Sequence, residues 1–115
     1  MVKVTISGNL VADPEYKTGD RSGVASARVA ASTNTKDKDG NFVTNFYRVS
    51  YWGTRGESFA KRAHKGDRVV AVGTLTVTPA ISQKSGGAIA FLDVNADAIE
   101  IVTKTAAADD LDDEL

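Results

Sequence analysis

Residues 42–77 read FVTNFYRVSYWG, TRGESFAKRAHKG and DRVVAVGTLTV, three consecutive pieces with different hydrophobic periods. In the first piece (42–53) and the third (67–77), apolar residues recur at about every second position, which is typical of strands with one buried face. The middle piece (54–66) has the period of a helix. The stretch therefore predicts a strand, a helix and a second strand in direct succession.

The predicted helix carries signals at both of its ends. Thr54 and Glu57 have the spacing of a capping box, and Gly66 is placed to end the helix. Phe59 and Ala63 lie four positions apart and share one face, which we expect to be buried. This is the one convincing helix in the chain.

Upstream of this stretch, two more strands and a hairpin loop are predicted. VKVTI (2–6) alternates between apolar and polar residues, and VASARVAAST (24–33) is a second strand built mainly from small residues. NTKDKDGN (34–41) has the composition of a hairpin loop. Small side chains suit strands that bend tightly around a barrel.

Downstream, TPAISQKSGG (78–87) reads as a loop and AIAFLDVNADAIEIV (88–102) as a fifth strand, with a possible bulge at 93–96. The order is three strands, one helix and two strands. It predicts an all-β fold, a five-stranded OB-fold Greek-key barrel with the helix between strands three and four. Residues 1–102 are then one domain, and 103–115 are expected to be a short disordered acidic tail, because they carry too few apolar groups to pack.

Composition bounds the class of protein. The 115 residues suit one domain, and the absence of cysteine excludes disulfides and thiolate metal sites. The first ten residues, MVKVTISGNL, resemble neither a signal peptide nor a membrane span, so we expect a cytoplasmic protein with no membrane partner.

The charge is divided between the body and the end of the chain. Residues 1–108 contain 14 basic and ten acidic residues, a net charge of +4, whereas 109–115 contain five acids and no base. The body is therefore basic and the end acidic, and a block of like charge at a chain end is typical of an interaction tail or of a solubilising end.

Four of the eight aromatic residues fall within 46–52, FYRVSYW. Alternation divides this segment into two rows. The first is Phe46, Arg48, Ser50 and Trp52, and the second is Tyr47, Val49 and Tyr51. A buried face does not normally accept an unpaired arginine, so we expect the first row to be exposed and the second to face the core or a subunit interface.

Exposed rings beside a guanidinium indicate a surface for single-stranded nucleic acid, because every base has a π-face and stacking tolerates any sequence. The alternative is that the two rings only cover an end of the barrel. The basic residues expected to neutralise phosphates lie on the strands and on the loops that flank them: Lys3, Arg28, Lys36, Lys38, Arg48 and Lys84.

Four segments together resemble the bacterial single-stranded DNA-binding protein (SSB) family: ISGNLVADPEYK, FYRVSYWG followed by a helix, KGDRVVAVGTL and LDVNADAIEIV. The resemblance covers about residues 2–102. It implies an OB-fold homotetramer without a cofactor that wraps single-stranded DNA during replication, recombination or repair, in a bacterial or phage-infected cell. It also implies that Phe46 and Trp52 stack on DNA, while Tyr47 lies near the subunit interface.

The chain departs from the family at two stacking positions and at its end. Family members often have an aromatic residue where this chain has Lys36, and another where it has Ala80, so a reduced stacking surface is expected. The long linker usual in the family is almost absent from this sequence, which ends in DDLDDEL rather than in Pro-Phe. Replication or recombination partners are nevertheless expected to bind the acidic end, Asp109, Asp110, Leu111, Asp112, Asp113, Glu114 and Leu115.

No enzyme is predicted, and neither a metal nor a cofactor is expected. His64 is the only histidine, and no nucleophile motif or phosphate loop accompanies it. Two other readings of the same residues stay open. One is an OB-fold adaptor in a replication complex, and the other is an RNA-binding protein, because the preference for DNA over RNA depends on contacts with the 2′-hydroxyl.

Overall fold

The computed structural model describes residues 1–19, 22–84 and 86–103. Its elements, in chain order, are β1 (Val2–Leu10), β2 (Glu15–Thr18), β3 (Gly23–Lys36), β4 (Phe42–Trp52), α1 (Gly53–Arg62), β5 (Arg68–Ile81) and β6 (Ala88–Thr103).

The strands form one sheet in the order β1-β5-β6-β4-β3-β2, which an additional pairing of β1 with β3 closes into a barrel. That pairing joins Asn9 to Ala30 and Leu10 to Val29. β4 and β6 are parallel, whereas all other neighbours are antiparallel. The five predicted strands and the helix between the third and the fourth of them are confirmed.

The core lies inside the barrel and under the helix. The most deeply buried large side chains come from six different elements: Leu10, Val29, Val49, Phe59, Val69 and Val94. Phe59 of α1 is only 1% exposed and meets the ring of Tyr51 edge-on, with 6.1 Å between the ring centroids. Helix α1 therefore closes one end of the barrel, as the face shared by Phe59 and Ala63 predicts.

The strands are longer than local sequence predicts. β1 continues through Gly8 to Leu10, and β3 continues to Lys36, which leaves only 37–41 in the first hairpin loop. β5 continues to Ile81, so residues 78–81 of the predicted loop 78–87 pair with β6 instead. Cross-strand hydrogen bonds and side-chain pairs outweigh the weak local strand preference of these residues.

Two further features of the sheet were not predicted. β2 is a sixth, short strand on the outer edge of β3, where Glu15 pairs with Ser26 and Thr18 with Gly23. One irregularity in β6 falls at Asp97, one residue beyond the predicted segment, since Val72 pairs with Ala98 and Gly73 with Ala96, and a second falls at Val102. Gly8 lies where β1 crosses β3, and a side chain there would collide with the carbonyl of Ala30.

The predicted signals at the helix ends were wrong. The N-cap residue is Trp52 and no side chain caps the helix, so Thr54 and Glu57 do not form a capping box. The last helical residue is Arg62, and Gly66 lies instead in the following turn, where its amide donates to the carbonyl of Leu10 (2.8 Å). The tight junctions of α1 with its two neighbouring strands determine where it begins and ends.

Candidate nucleic-acid interface

The alternation of β4 is confirmed by the exposure of its side chains. Phe46 and Trp52 are 55% and 53% exposed, whereas Val49 and Tyr51 are buried. We call Phe46, Arg48, Ser50 and Trp52 the outer row. The opposite row, Tyr47, Val49 and Tyr51, packs on the core, and Tyr47 is only partly covered.

Trp52 is presented by the junction between β4 and α1. It is the last residue of the strand, and Gly53 directly after it has a φ of 78°. Only glycine adopts this left-handed conformation without strain, so it permits the abrupt turn from strand to helix. The ring of Trp52 consequently stays outside the barrel at the end of the outer row.

Arg48 is held by the carboxylate of Asp93, which was not among the predicted site residues. β4 and β6 pair in parallel, which sets Arg48 directly beside Asp93. The guanidinium donates two hydrogen bonds, from Nε to Oδ1 (2.6 Å) and from Nη2 to Oδ2 (2.8 Å), and Thr78 Oγ1 lies 3.4 Å from Oδ2. Because Arg48 donates these bonds, the pKa of Asp93 is lowered from its ordinary value, and the same contact raises the pKa of Arg48.

Arg28, Arg48 and Asp93 form a line across three strands, which we call the charged row. Arg28 of β3 pairs directly with Arg48 of β4, and Arg48 pairs with Asp93 of β6. Like charges directly opposite on a sheet repel each other, and Asp93 offsets one of them. The charged row therefore retains about one net positive charge, with Arg28 on its outer side.

Two open cavities lie on either side of the charged row. One, of about 490 Å³, is lined by Phe46, Phe91 and both arginines, among others. The other, of about 530 Å³, is lined by the charged row together with Asp13, Glu15, Ser26 and Ser50, among others. Both have volumes in the range of small-ligand sites. Of the predicted site residues, Arg28, Phe46 and Arg48 are thus brought together.

The predicted lysines do not gather at these cavities. Lys3 lies on β1 and forms an ion pair with Asp97 (2.7 Å). Lys36 ends β3 and lies over the ring of Phe42, with Nζ 5.2 Å from the centroid. Lys38 and Lys84 are exposed in the turns of the β3–β4 and β5–β6 hairpins. They flank the surface rather than line it.

Two exposed rings were missed by the sequence analysis. Phe42 is 56% exposed and directly opposite Lys36, and Phe91 is 38% exposed and directly opposite Thr78, two positions from Ala80 along β5. A ring thus lies directly opposite Lys36, whereas Ala80 is opposite Ile89 and Phe91 lies two positions farther along β6. The alternation of β4 could have revealed Phe42, whereas Phe91 required knowledge of the β4–β6 register.

Several sequence predictions lie away from this surface or outside the described residues. His64 is exposed after α1, and its amide donates to the buried Asp67 (Oδ2, 2.9 Å). Within 1–19, 22–84 and 86–103, no three side chains of His, Asp or Glu come together as a possible metal site. In the same residues no helix has the length and apolar character needed to cross a membrane. The predicted acidic partner-binding segment 109–115 lies outside the described residues.

Comparison with known proteins gives consistent results. The model of the Single-strand binding protein family matches residues 1–102. A single-stranded DNA-binding protein of Paenarthrobacter aurescens is 36% identical over 77 residues, and one of Bifidobacterium longum is 38% identical over 77 residues. Each match includes 63% of this chain, but the chain spans only 45% and 35% of those relatives' lengths.

Among solved structures, the small single-stranded DNA-binding protein of Streptomyces coelicolor superposes with a TM-score of 0.72 at 22% identity. The superposition covers 87% of this chain and 93% of that one, and it supports the OB-fold assignment. Together with the family match over nearly the whole barrel, these comparisons establish that the chain belongs to the Single-strand binding protein family.

Proposed function

We propose that this chain binds single-stranded DNA without reading its sequence. The observation that carries the proposal is the outer row with its neighbours, where exposed rings and guanidinium groups share one surface of a rigid barrel. Phe46 and Trp52 would stack on bases, and Arg28 would neutralise a phosphate. Arg48, paired with Asp93, would contribute mainly a flat surface to stack on.

Titration of Trp52 fluorescence with oligo-dT at several salt concentrations tests this proposal. Trp52 is the only tryptophan and is half exposed at one end of the outer row, so its emission reports on that surface. We expect strong quenching and an affinity that falls as salt rises, because phosphate contacts release counterions. Tight binding without quenching would move the site to another face, and no binding at any salt would contradict the function.

The variant Phe46→Ala separates stacking from charge attraction. We expect about 5- to 150-fold weaker binding, which corresponds to one lost stacking contact, with an unchanged salt dependence. Phe42→Ala is not a suitable control, because Phe42 also lies beside a lysine. The control is Val102→Ala, which truncates an exposed side chain near the end of β6.

Competition with oligo-rU of equal length tests the RNA-binding alternative. Equal or tighter binding of the RNA would favour that alternative.

We further propose that the chain self-associates, as a homotetramer. Support comes from the apolar side of the β5–β6 hairpin that faces away from the outer row. Register places Tyr47, Leu92 and Val77 side by side there, and Ile81 of the same side is 74% exposed. Exposed apolar surface of this kind commonly marks a protein interface. Sedimentation equilibrium of the full chain tests this part. A mass equal to that of the monomer would refute it.

Within a cell, such an oligomer would coat single strands during replication, recombination or repair, and the acidic end 109–115 would recruit other proteins. Coating predicts protection of single-stranded DNA from a single-strand-specific nuclease, in proportion to occupancy. A chain lacking 109–115 should protect DNA equally well or better, but should fail to capture partners on an affinity column. Unchanged partner capture would make the acidic end a solubilising segment only.

A further inference from the structure

We propose that the cavity between Phe46 and Phe91 is a stacking site for one DNA base, and that Asp93 is a positioning residue that holds Arg48 as part of its wall. This inference rests on the proposed function. It assigns roles to two residues, Phe91 and Asp93, that neither the alternation of β4 nor the family resemblance indicated.

The geometry of the two rings supports a shared site. Tyr47 pairs with Leu92 in the parallel register of β4 and β6, so Phe46 and Phe91, one residue earlier on each strand, lie at the same level. Neighbouring strands are about 4.8 Å apart, which keeps the two side chains within reach of one bound base. Both rings are exposed, and both line the cavity of about 490 Å³.

Arg48 completes the wall of the cavity on the side of the charged row. Its guanidinium carbon lies 4.2 Å from the centroid of the Phe91 ring, the distance of a stacked pair. The two hydrogen bonds to Asp93 fix the plane of the guanidinium against this ring. A planar group with a compensated charge offers a base a second flat surface.

Asp93 is otherwise hard to reconcile with a surface that binds phosphates. An acidic group there repels DNA, yet it lies at the centre of the surface and beside the one arginine of β4. Its effect is to neutralise Arg48 and to hold it away from phosphates. The described residues provide no ion pair for Arg28. Arg28 is therefore the cation of the charged row that contacts the phosphates of the DNA.

The first test compares Phe91→Ala with the wild type by Trp52 quenching with oligo-dT. Trp52 lies at the far end of β4, so the reporter is retained in every variant. We expect about 5- to 150-fold weaker binding for Phe91→Ala and no change for Val102→Ala, which shortens an exposed apolar side chain of the same strand. If Phe91→Ala binds like Val102→Ala while the wild type binds tightly, this inference is overturned and the proposed function stands. If the wild type itself does not bind, both fail.

The second test addresses Asp93 through the salt dependence. In Asp93→Asn, Arg48 regains its uncompensated charge and becomes available to a phosphate. The slope of log affinity against log salt should steepen by about 0.7, the value for one more phosphate contact on a single strand. Asp93→Glu, which restores the carboxylate, should return the slope to that of the wild type.

The matched control is Glu57→Gln, which also removes one carboxylate from an ion pair, with Lys61 on α1. A general effect of net charge would steepen the slope equally in Glu57→Gln and in Asp93→Asn, and that result would overturn the role of Asp93. An unchanged slope in Asp93→Asn would overturn it as well.

Discussion

β5 and β6 run through the barrel body and continue into the outer half of the β5–β6 hairpin. Their apolar side chains are buried in the body and exposed in the hairpin. In the body, Val69, Ala71 and Val94 are completely covered. In the hairpin, Ile81 points to one side and Phe91 to the other, and both are exposed. The body is stable because the barrel and α1 cover its inner face. Among the described residues no third layer covers the hairpin, so its apolar residues are available to ligands and to other subunits.

The largest expected effect is a difference in the free energy of unfolding between two variants, one of a phenylalanine in the barrel body and one of a phenylalanine on the surface. Phe59→Ala should lower the free energy of unfolding by about 3–5 kcal/mol, because it leaves a cavity under α1. Phe42→Ala should lower it by less than about 1 kcal/mol, since this ring is half exposed and lies beside the Nζ of Lys36 rather than in the core. Urea denaturation of both variants at one protein concentration measures the difference. Equal losses would contradict the division between body and surface.

The next effect is a difference between the two faces of the β5–β6 hairpin in self-association and in DNA binding. Ile81→Asp places a charge on the face proposed for self-association and should weaken assembly by more than about tenfold. Ile89→Asp places the same charge on the face that carries Phe91, and should leave assembly intact while weakening DNA binding. Analytical ultracentrifugation and oligo-dT titration together report both properties. Dissociation of both variants to the same extent would show that the faces are not distinct.

A smaller effect is expected for the uncompensated arginine of the charged row. Arg28→Ala should reduce the salt slope of DNA binding by about 0.7, which is the loss of one phosphate contact. Arg55→Ala, which removes the same charge from α1, should leave the slope unchanged. The comparison uses fluorescence titrations at four or more salt concentrations. A slope that falls equally in both variants would indicate a general attraction by net charge.

The smallest effect concerns pH. Asp93 has a lowered pKa in the folded chain because Arg48 donates hydrogen bonds to it, so the pair stabilises the fold above the unfolded-state pKa of about 3.9. This stabilisation should be lost as the pH falls through the lower folded-state value. The difference in Tm between the wild type and Asp93→Asn should therefore be present at pH 6 and vanish in strong acid. A difference independent of pH would mean that the pair has no role in stability.

Much of the outer row could be predicted from the residues of β4 alone. A strict period of two separates Phe46, Arg48 and Trp52 from Val49 and Tyr51, and a buried strand face cannot accept an unpaired guanidinium. The same rule explains why the exposure of these side chains agreed with expectation. It concerns one strand and needs no knowledge of its neighbours.

The partners of those side chains could not be predicted in the same way. Asp93 and Phe91 are more than forty positions from Arg48 and Phe46, and they meet only because β6 lies parallel to β4 in one particular register. A shift of one residue would turn Asp93 away from Arg48 and Phe91 away from Phe46. The extended hairpins have a similar origin, because residues such as Thr78 and Pro79 form strand only when β6 pairs with them.

Local periodicity thus specified the order of the main elements, the exposed face of β4 and the position of the helix. These properties depend on residues close in sequence, whose side chains alternate or repeat with a fixed period. The ion pair at Arg48, the rings supplied by partner strands and the closure of the barrel at Gly8 depended on tertiary structure. They arise from contacts between distant segments, where register and close packing, rather than local preference, decide which atoms meet.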